Sequence, residues 1–551
     1  MDPLPQLDER YYLRNFELLC DTVQKQYEDL LAEAEVLFLQ RFRQLSETAR
    51  CLYVRLVSRV GPLFRPEKLN YPELGKLDSA LSELASKGLL CRNVAPDLTE
   101  IFRLCRKDEL VEIFTARLKN ASRCRKGELL EQLQAQELSP GDCEALWGRW
   151  YPQELVEPRC REVVELLLLL FYGNRHQSLT DFVLSDLGVA RFHDYVLDRG
   201  FRLFEQRTQI EEYLELGELR AGFSDAVDGD DREQVQALME SLGERDCSPA
   251  LQQRWDRLRN RVARQLERYQ DWESAQHLYR CSNQHPARER RVRILQNQGQ
   301  LEAALDLCRE MQEQAWCEEE LEFLQRQIPL LQKKLGLDHQ APARLSYPQE
   351  RLQLPRGEAG VELDAAAHYL GSWQQVHFVE NSLINTLFGL ALWEEMFLPV
   401  AGAFVNPFQS APLDMHTQEF YHRRQAAIDA RLERLASTEM AGQILASYDR
   451  HLGLSNYWVN WRDIDRDLVS TALKSIPGKH LLAIWRRILF DPRANRSGFP
   501  DLLALDPGRG YCMIEVKGPG DQLQHNQKRW LRFFQSEQIP CLVAWVDWRD
   551  A

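Results

Sequence analysis

The stretch SGFPDLLALDPGRGYCMIEVKGPGD (Ser497–Asp521) carries the residues best suited to chemistry. PDLLAL reads as a short strand, DPGRG as a tight turn in which Gly508 and Gly510 supply positive φ, and YCMIEVKG as a second strand. Residues two apart on a strand share a face, so Glu515 and Lys517 point one way and Val516 the other. An antiparallel hairpin brings Asp501, at the start of the first strand, beside Glu515. Two carboxylates meeting there repel unless a cation lies between them. A hard divalent ion, Mg²⁺ or Mn²⁺, satisfies both and takes further oxygens from water, a phosphate and the Val516 carbonyl. Lys517 is then placed to orient or deprotonate an attacking water and to neutralise charge on a pentacovalent phosphate, while the ion polarises the phosphoryl group. The chemistry expected is hydrolysis of a phosphodiester. The competing reading is a β-hairpin with incidental charges.

A polyanionic substrate needs positive charge near the site, and the net charge of −14 does not forbid local basic patches. Lys474–Arg496 holds six Arg/Lys (Lys474, Lys479, Arg486, Arg487, Arg493 and Arg496, with His480 among them) against Asp491 alone. This run precedes the PD strand and is expected to form a basic rim. Arg106–Lys126 holds seven Arg/Lys against three acids. There, two short helices, KDELVEIFTARLK and KGELLEQLQAQ, flank the polar connector NASRCR. Lys107, Arg117, Lys119, Arg123, Arg125 and Lys126 can then face one phosphate backbone, with amide donors at the second helix's N-terminus. Taken singly, either run is also compatible with a solvated face or an ordinary helical hairpin.

The elements that must position these residues fill a chain of 551 residues, enough for several domains. Residues 10–60 read as long amphipathic helices. A Pro- and Gly-rich break follows, then a helix ended by Gly88 and a short extended piece, a winged-helix-like pattern. VVELLLLLFY (Val163–Tyr172) is too short to cross a bilayer and reads as a buried helix. Residues 200–340 are helical in pattern. DWESAQHLY (Asp271–Tyr279) matches QLEAALDLC (Gln300–Cys308) at an offset of 29 residues, aligning Trp272 with Leu301, Ala275 with Ala304 and Leu278 with Leu307. Large, small, large is how stacked helical hairpins pack, as in tetratricopeptide solenoids. HQAPARLSYPQERLQLPRGEAG (His339–Gly360) reads as a linker. The 13 cysteines lack zinc-finger spacing and are expected to be reduced and mostly buried, and the polar N-terminus lacks a signal-peptide pattern. The expected partition is 1–105 helical and winged-helix-like, 106–140 basic helical unit, 141–200 helical connector, 201–344 helical repeats, and 345–551 catalytic domain.

Pro500-Asp501 followed by Glu515-Val516-Lys517 resembles the PD-(D/E)xK nuclease superfamily. The flanking text, RSGFPDLLAL and IEVKGPGDQLQHNQKRWL, resembles its VRR-NUC branch. The resemblance implies an α/β domain with a mixed sheet, opened by a helix carrying another acidic ligand. VHFVENSLINTLFGLALWEEMF is read as that helix. Glu380 is its ligand, His377 lies a turn earlier as a structural residue, and Glu394 and Glu395 are surface or helix-end charges. Gln527 and Lys528 fall on the helix after the ExK strand, where this fold presents polar groups to substrate. Residues 106–140 resemble the SAP motif. With YYLRNFELL and ARCLYVRLVSRVGPLFRPEKLNYPEL ahead of them, the parts in this order resemble the Fanconi-associated nuclease family across nearly the whole chain. That likeness implies a multidomain, mainly α protein with a 5′-flap endonuclease and 5′-to-3′ exonuclease activity in interstrand cross-link repair. It implies two Mg²⁺ or Mn²⁺ ions and branched or flapped double-stranded DNA as partner, with no membrane. The Cys/His spacing of a ubiquitin-binding zinc finger is missing, so ubiquitin is not an expected partner. A bacterial-type member, cytoplasmic and nucleoid-associated, fits better than a nuclear one. Gln522 stands where some relatives carry Arg. A four-way junction resolvase and a non-catalytic scaffold for branched DNA are the alternatives at this point.

Overall fold

The computed structural model describes residues 9–177, 179, 191–243, 245–339, 346–358, 360–437, 439–506 and 508–549. The chain divides into two compact units, residues 1–190 with 197–200, and residues 191–196 with 201–551.

In the first unit, helices Tyr11–Tyr27, Glu33–Arg43 and Glu47–Val57 enclose the buried rings of Phe16, Phe38, Phe42 and Tyr53. Ser46 starts the third helix by accepting the amide N–H of Ala49. Helix Asp78–Ser86 leads into β1 (Leu90–Arg92), which pairs antiparallel with β2 (Val156–Pro158). The chain therefore leaves the first helices, makes the basic unit, and returns. After β2 the Arg161 guanidinium donates to the carbonyls of Leu56 (3.0 Å) and Gly61 (2.7 Å), closing the open end of helix Glu47–Val57. The apolar run forms helix Arg161–Tyr172, eight residues of which are buried. Between β1 and β2, four short helices share one core around Leu110, Phe114, Leu129, Leu133 and Trp147.

The second unit begins with stacked helical pairs, among them Gln252–Arg268 with Trp272–Arg280 and Ala287–Asn297 with Leu301–Glu313, followed by Glu318–Lys334. Ala275 and Ala304 are both 0% exposed, and Leu278 and Leu307 are buried beside them, as the 29-residue repeat requires. The short strands β3 (Arg191–Phe192) and β6 (Leu454–Ser455) pair parallel, and β4 (Gln349–Leu354), β5 (Gln375–Phe378), β7 (Leu502–Asp506), β8 (Gly510–Lys517) and β9 (Cys541–Trp548) form a five-stranded mixed sheet in the order β4-β9-β8-β7-β5. β7 (Leu502–Asp506) and β8 (Gly510–Lys517) form the expected antiparallel hairpin, and β9 (Cys541–Trp548) runs parallel to β8 after helix His525–Ser536. One side is covered by helix Val361–Tyr369, which sets Ala365, Ala366 and Tyr369 against Leu502, Ile514, Val516 and Ala544.

Three expectations are corrected. The supposed linker holds β4 (Gln349–Leu354), an edge strand paired parallel with β9. Its alternate residues Leu352 and Leu354 are buried, a two-residue period hidden among flanking prolines. Residues 376–397 are not one helix. Gln375–Phe378 is β5, antiparallel to β7, and only Leu383–Ala391 and Trp393–Met396 are helical. Pairing with β7 outweighs the helical periodicity of the downstream apolar face. In the hairpin turn, Gly510 has φ +89°, whereas Gly508 does not lie at positive φ. Asp506 Oδ1 shapes that end of the turn instead, accepting N–H from Gly508 (2.7 Å) and Arg509 (3.1 Å). All 13 cysteines are free, six of them buried and seven partly so. Among the described residues no helix is long and apolar enough to cross a membrane.

Candidate active site

The register Leu502↔Ile514 sets Asp501 opposite Glu515 at one end of the β7–β8 hairpin. The Val516 N–H donates to Asp501 Oδ2 at 2.8 Å, fixing one oxygen and leaving the other to face the site. Glu515 and Lys517 share the face expected of them: Lys517 Nζ lies 2.7 Å from Glu515 Oε1, with the side chains 10% and 1% exposed. Val516 points the other way, into the sheet's core.

Glu380 reaches the same place from the turn between β5 and helix Leu383–Ala391. The Val379 N–H donates to the Asp501 carbonyl at 2.9 Å, which joins that turn to the start of β7. Asn381 adopts φ 52°, a left-handed conformation that asparagine tolerates. Its Oδ1 accepts the Phe499 N–H at 3.1 Å, and its Nδ2 donates to Glu380 Oε1 at 3.1 Å. Asn385 Nδ2 donates to the carbonyls of Asn381 (2.6 Å) and Arg496 (2.9 Å), tying the helix to the segment before the PD strand. In ENSLIN, therefore, Glu380 carries the charge and the asparagines hold it in place.

Burial pushes the Asp501 carboxyl up to about 6, with Glu380 and Glu362 raising it further against the Val516 N–H and Lys517. Burial and then the Asp501 charge push Glu515 up to about 8, with Glu380 adding and Lys517 opposing. One ammonium does not balance these carboxylates. A site of hard oxygen donors, short of positive charge and out of water, fits a divalent ion. Glu362 was missed in the sequence. It lies in the first turn of helix Val361–Tyr369, so the helix that opens the domain precedes the one inferred from the apolar run. Its signal, an acid after GV and before an Ala-rich segment, is weak without knowing that β4 precedes it.

The expected basic residues divide. Lys474, Lys479, Arg486, Arg493 and Arg496 are exposed. Arg487 is turned inward instead of lining a rim: its guanidinium meets Glu318 Oε2 at 2.8 Å and covers the Phe533 ring at 4.7 Å. His480 is buried, with Nδ1 2.7 Å from the Tyr511 hydroxyl. Gln527 Oε1 accepts the Gln524 N–H at 2.8 Å, starting helix His525–Ser536, and Lys528 is half-buried on its first turn. In the first unit, Lys107 donates to the Ser122 carbonyl (3.1 Å) and Lys126 to that of Cys105 (2.8 Å), so both ammoniums brace the connector. Arg117 lies 3.5 Å from Asp142, and Lys119, Arg123 and Arg125 are exposed. The structure adds one cluster: Arg257, on helix Gln252–Arg268, is lowered by burial and by the charges of Arg254, Arg493 and Arg220. Arg254 and Arg257 share that helix, but Arg220 and Arg493 come from distant segments, so no spacing in the sequence announces the cluster. Glu395 is also corrected. It is buried, whereas Glu394 is exposed.

Three family models match the chain: "FAN1, HTH domain" over residues 10–91, "Fanconi anemia-associated nuclease SAP domain" over 97–140, and "VRR-NUC domain" over 437–548. A Fanconi-associated nuclease 1 homolog of Pseudomonas aeruginosa is 37% identical over 546 residues, covering 98% of this chain and 96% of that protein. The homolog of Oryza sativa subsp. japonica is 27% identical, covering 94% of this chain but 61% of its own length. A crystal structure described as paFAN1 bound to 2nt 5′flap DNA with gap superposes with a TM-score of 0.83 at 35% identity, covering 100% of both chains. One with a 1nt 5′flap gives 0.81 at 36% identity, covering 99% of this chain and 100% of that one.

Proposed function

This chain belongs to the Fanconi-associated nuclease family and is a DNA-hydrolysing nuclease, and on that premise we propose that it cuts DNA at 5′ flaps and digests it from 5′ to 3′ during interstrand cross-link repair. The observation that carries the reading is the convergence of Asp501, Glu515 and Lys517 at one hairpin end, with Glu380 anchored to Asp501 by its turn. The flap DNA held by the similar solved structures supports the substrate class.

In this reading Glu380, Asp501, Glu515 and the Val516 carbonyl hold Mg²⁺ or Mn²⁺, two ions when the site is full. Bound there, the ions supply the positive charge that polarises the scissile phosphoryl group. Lys517 Nζ, beside Glu515, offers charge to the reacting phosphate. Asp501 is held by the Val516 N–H, so its free oxygen is presented without rotamer search. Arg486, Arg493 and Arg496, with Gln527 and Lys528 across the site, contact the phosphate backbone on the nuclease side. The arginines at 220, 254 and 257 extend that surface. Lys119, Arg123 and Arg125, with Lys107, Arg117 and Lys126 bracing them, contact duplex in the first unit. The five-part division of the chain follows these roles, and the enzyme acts beside the chromosome in bacterial cytoplasm.

The test is a labelled 5′-flap duplex incubated with purified protein and Mn²⁺. Cleavage near the flap junction that vanishes in Asp501→Asn and Lys517→Ala is expected. No cleavage by the unaltered protein, or equal cleavage by Asp501→Asn, overturns the reading. Paired symmetric nicks on a four-way junction, in preference to flap cutting, would shift it to a resolvase.

A further inference from the structure

One half-buried acid beside the site has no partner. Glu362 lies in the first turn of helix Val361–Tyr369, which covers one side of the sheet. Among the described residues no hydrogen bond or ion pair reaches it. The other acid of that turn is employed locally: Asp364 Oδ2 accepts the Gly357 N–H at 2.9 Å. A first-turn acid gains about 0.3–1 kcal/mol from the helix dipole. That gain does not require a place beside other carboxylates.

The sheet fixes where this turn stands. Ala365, Ala366 and Tyr369 share a core with Leu502, which follows Asp501, and with Val516, which lies between Glu515 and Lys517. The first residue of the helix reaches the end of β8: a Cβ on Gly518 would stand 3.7 Å from both Val361 methyl groups. Gly360 enters the helix at φ +106°, and a Cβ there would meet Glu362 Oε2 at 3.4 Å. The carboxylate therefore lies at the helix start, at the sheet end where the hairpin presents its acids. After burial, the charges of Glu380 and then Glu362 raise the Asp501 carboxyl. Like charges gathered in this way weaken the metal-free fold and favour a cation. Glu380, Asp501, Glu515 and the Val516 carbonyl already supply direct oxygens. Mg²⁺ usually keeps several of its waters, and those waters need acceptors.

We propose that Glu362 is a positioning residue of the ion site, accepting hydrogen bonds from water on the bound Mg²⁺ or Mn²⁺ instead of binding the ion directly. The inference rests on the metal-dependent reading of the site. It adds a residue that comes from the covering helix, not from the hairpin or from the turn that carries Glu380.

The experiment is calorimetric titration of the full chain with Mn²⁺, without DNA. Glu362→Gln is expected to weaken Mn²⁺ uptake about 10–100-fold, the usual loss when a group that supports the direct ligands is removed. Glu362→Asp keeps the charge on a shorter chain, which a contact through water tolerates, and is expected to retain most of the affinity. Glu358→Gln removes an exposed acid just ahead of the helix and is expected to leave the affinity unchanged, which controls for net charge. In chelator, Glu362→Gln is expected to melt no lower than the unaltered protein, because the substitution relieves like charge. A role confined to the helix dipole predicts the reverse: a lower melt and unchanged uptake. Unchanged Mn²⁺ affinity in Glu362→Gln, the same loss in Glu358→Gln or in Glu362→Asp, or a Glu362→Gln variant that fails to fold in chelator overturns the proposal. No Mn²⁺ uptake by the unaltered protein overturns the metal reading itself; uptake that Glu362→Gln leaves unchanged overturns this inference alone.

Discussion

Burial sets the protonation of the two strand carboxylates before any ligand arrives. An acid whose folded pKa lies above its unfolded value stabilises the fold at low pH and loses that contribution as pH rises through the folded value. With Asp501 pushed up to about 6 and Glu515 to about 8, metal-free protein is expected to lose thermal stability between pH 4.5 and about 8. Mg²⁺ or Mn²⁺ should restore it increasingly toward the upper end, because the ion replaces the protons. Melting curves in chelator and in Mg²⁺ across that range check this; a flat metal-free curve would refute it. Asp501→Asn, Glu515→Gln and Lys517→Ala should each lower cleavage by about a thousandfold or more, as loss of several kcal/mol of transition-state charge stabilisation implies. Single-turnover rates on flap DNA measure it. These residues were legible in the sequence because strand periodicity puts Glu515 and Lys517 on one face without further information. Glu362 was not, since its approach to Asp501 depends on a helix crossing the sheet.

Elements carry a second layer of information that single residues do not show. Helix Glu318–Lys334 of the repeats is tied to the nuclease fold through Glu318, which meets Arg487 (2.8 Å) and Asn495 Nδ2 (2.9 Å) while its own N–H donates to Asp491 (3.1 Å). Burial pushes Glu318 up and Arg487 down, and the charge of each opposes the shift of the other. Glu318→Ala should cost about 3–5 kcal/mol by stranding a buried guanidinium, and adding Arg487→Met should recover part of it. Urea unfolding of both variants decides; equal loss in the single and double variants would sink the idea. Leu352→Ala on β4 should cost about 2–4 kcal/mol, the usual range for a buried leucine. Here the sequence misled in an instructive way. Prolines on both sides concealed β4, and the apolar face after Glu380 concealed β5. Strand pairing with β9 and β7 decided both, and pairing is not a local property.

At the scale of the whole molecule the repeat was readable because its Ala275/Ala304 pair must sit where helices touch. The return of the chain through β2 to β1 was not, since nothing near Val156 names its partner at Arg92. The net charge of −14 does not describe the local surface, as Arg220 and Arg493 from segments far apart in sequence gather with Arg254 around Arg257. Flap-DNA affinity should therefore fall steeply with salt despite the acidic total. Arg123→Ala combined with Arg125→Ala should reduce the slope of log affinity against log salt by about 2, roughly one per phosphate contact removed. Fluorescence anisotropy over a salt series gives the slope. An unchanged slope would remove these residues from the interface.

The sheet order has a consequence for biosynthesis. β9 lies between β4 and β8, yet it is the last of the five strands in chain order. Until Cys541–Trp548 has been made and has docked, β8 has an open edge and β4 has no neighbour in the sheet. A nascent chain therefore holds Asp501, Glu515 and Lys517 on an unfinished sheet. The sheet that carries these three residues is complete only once its last-made strand lies between β4 and β8.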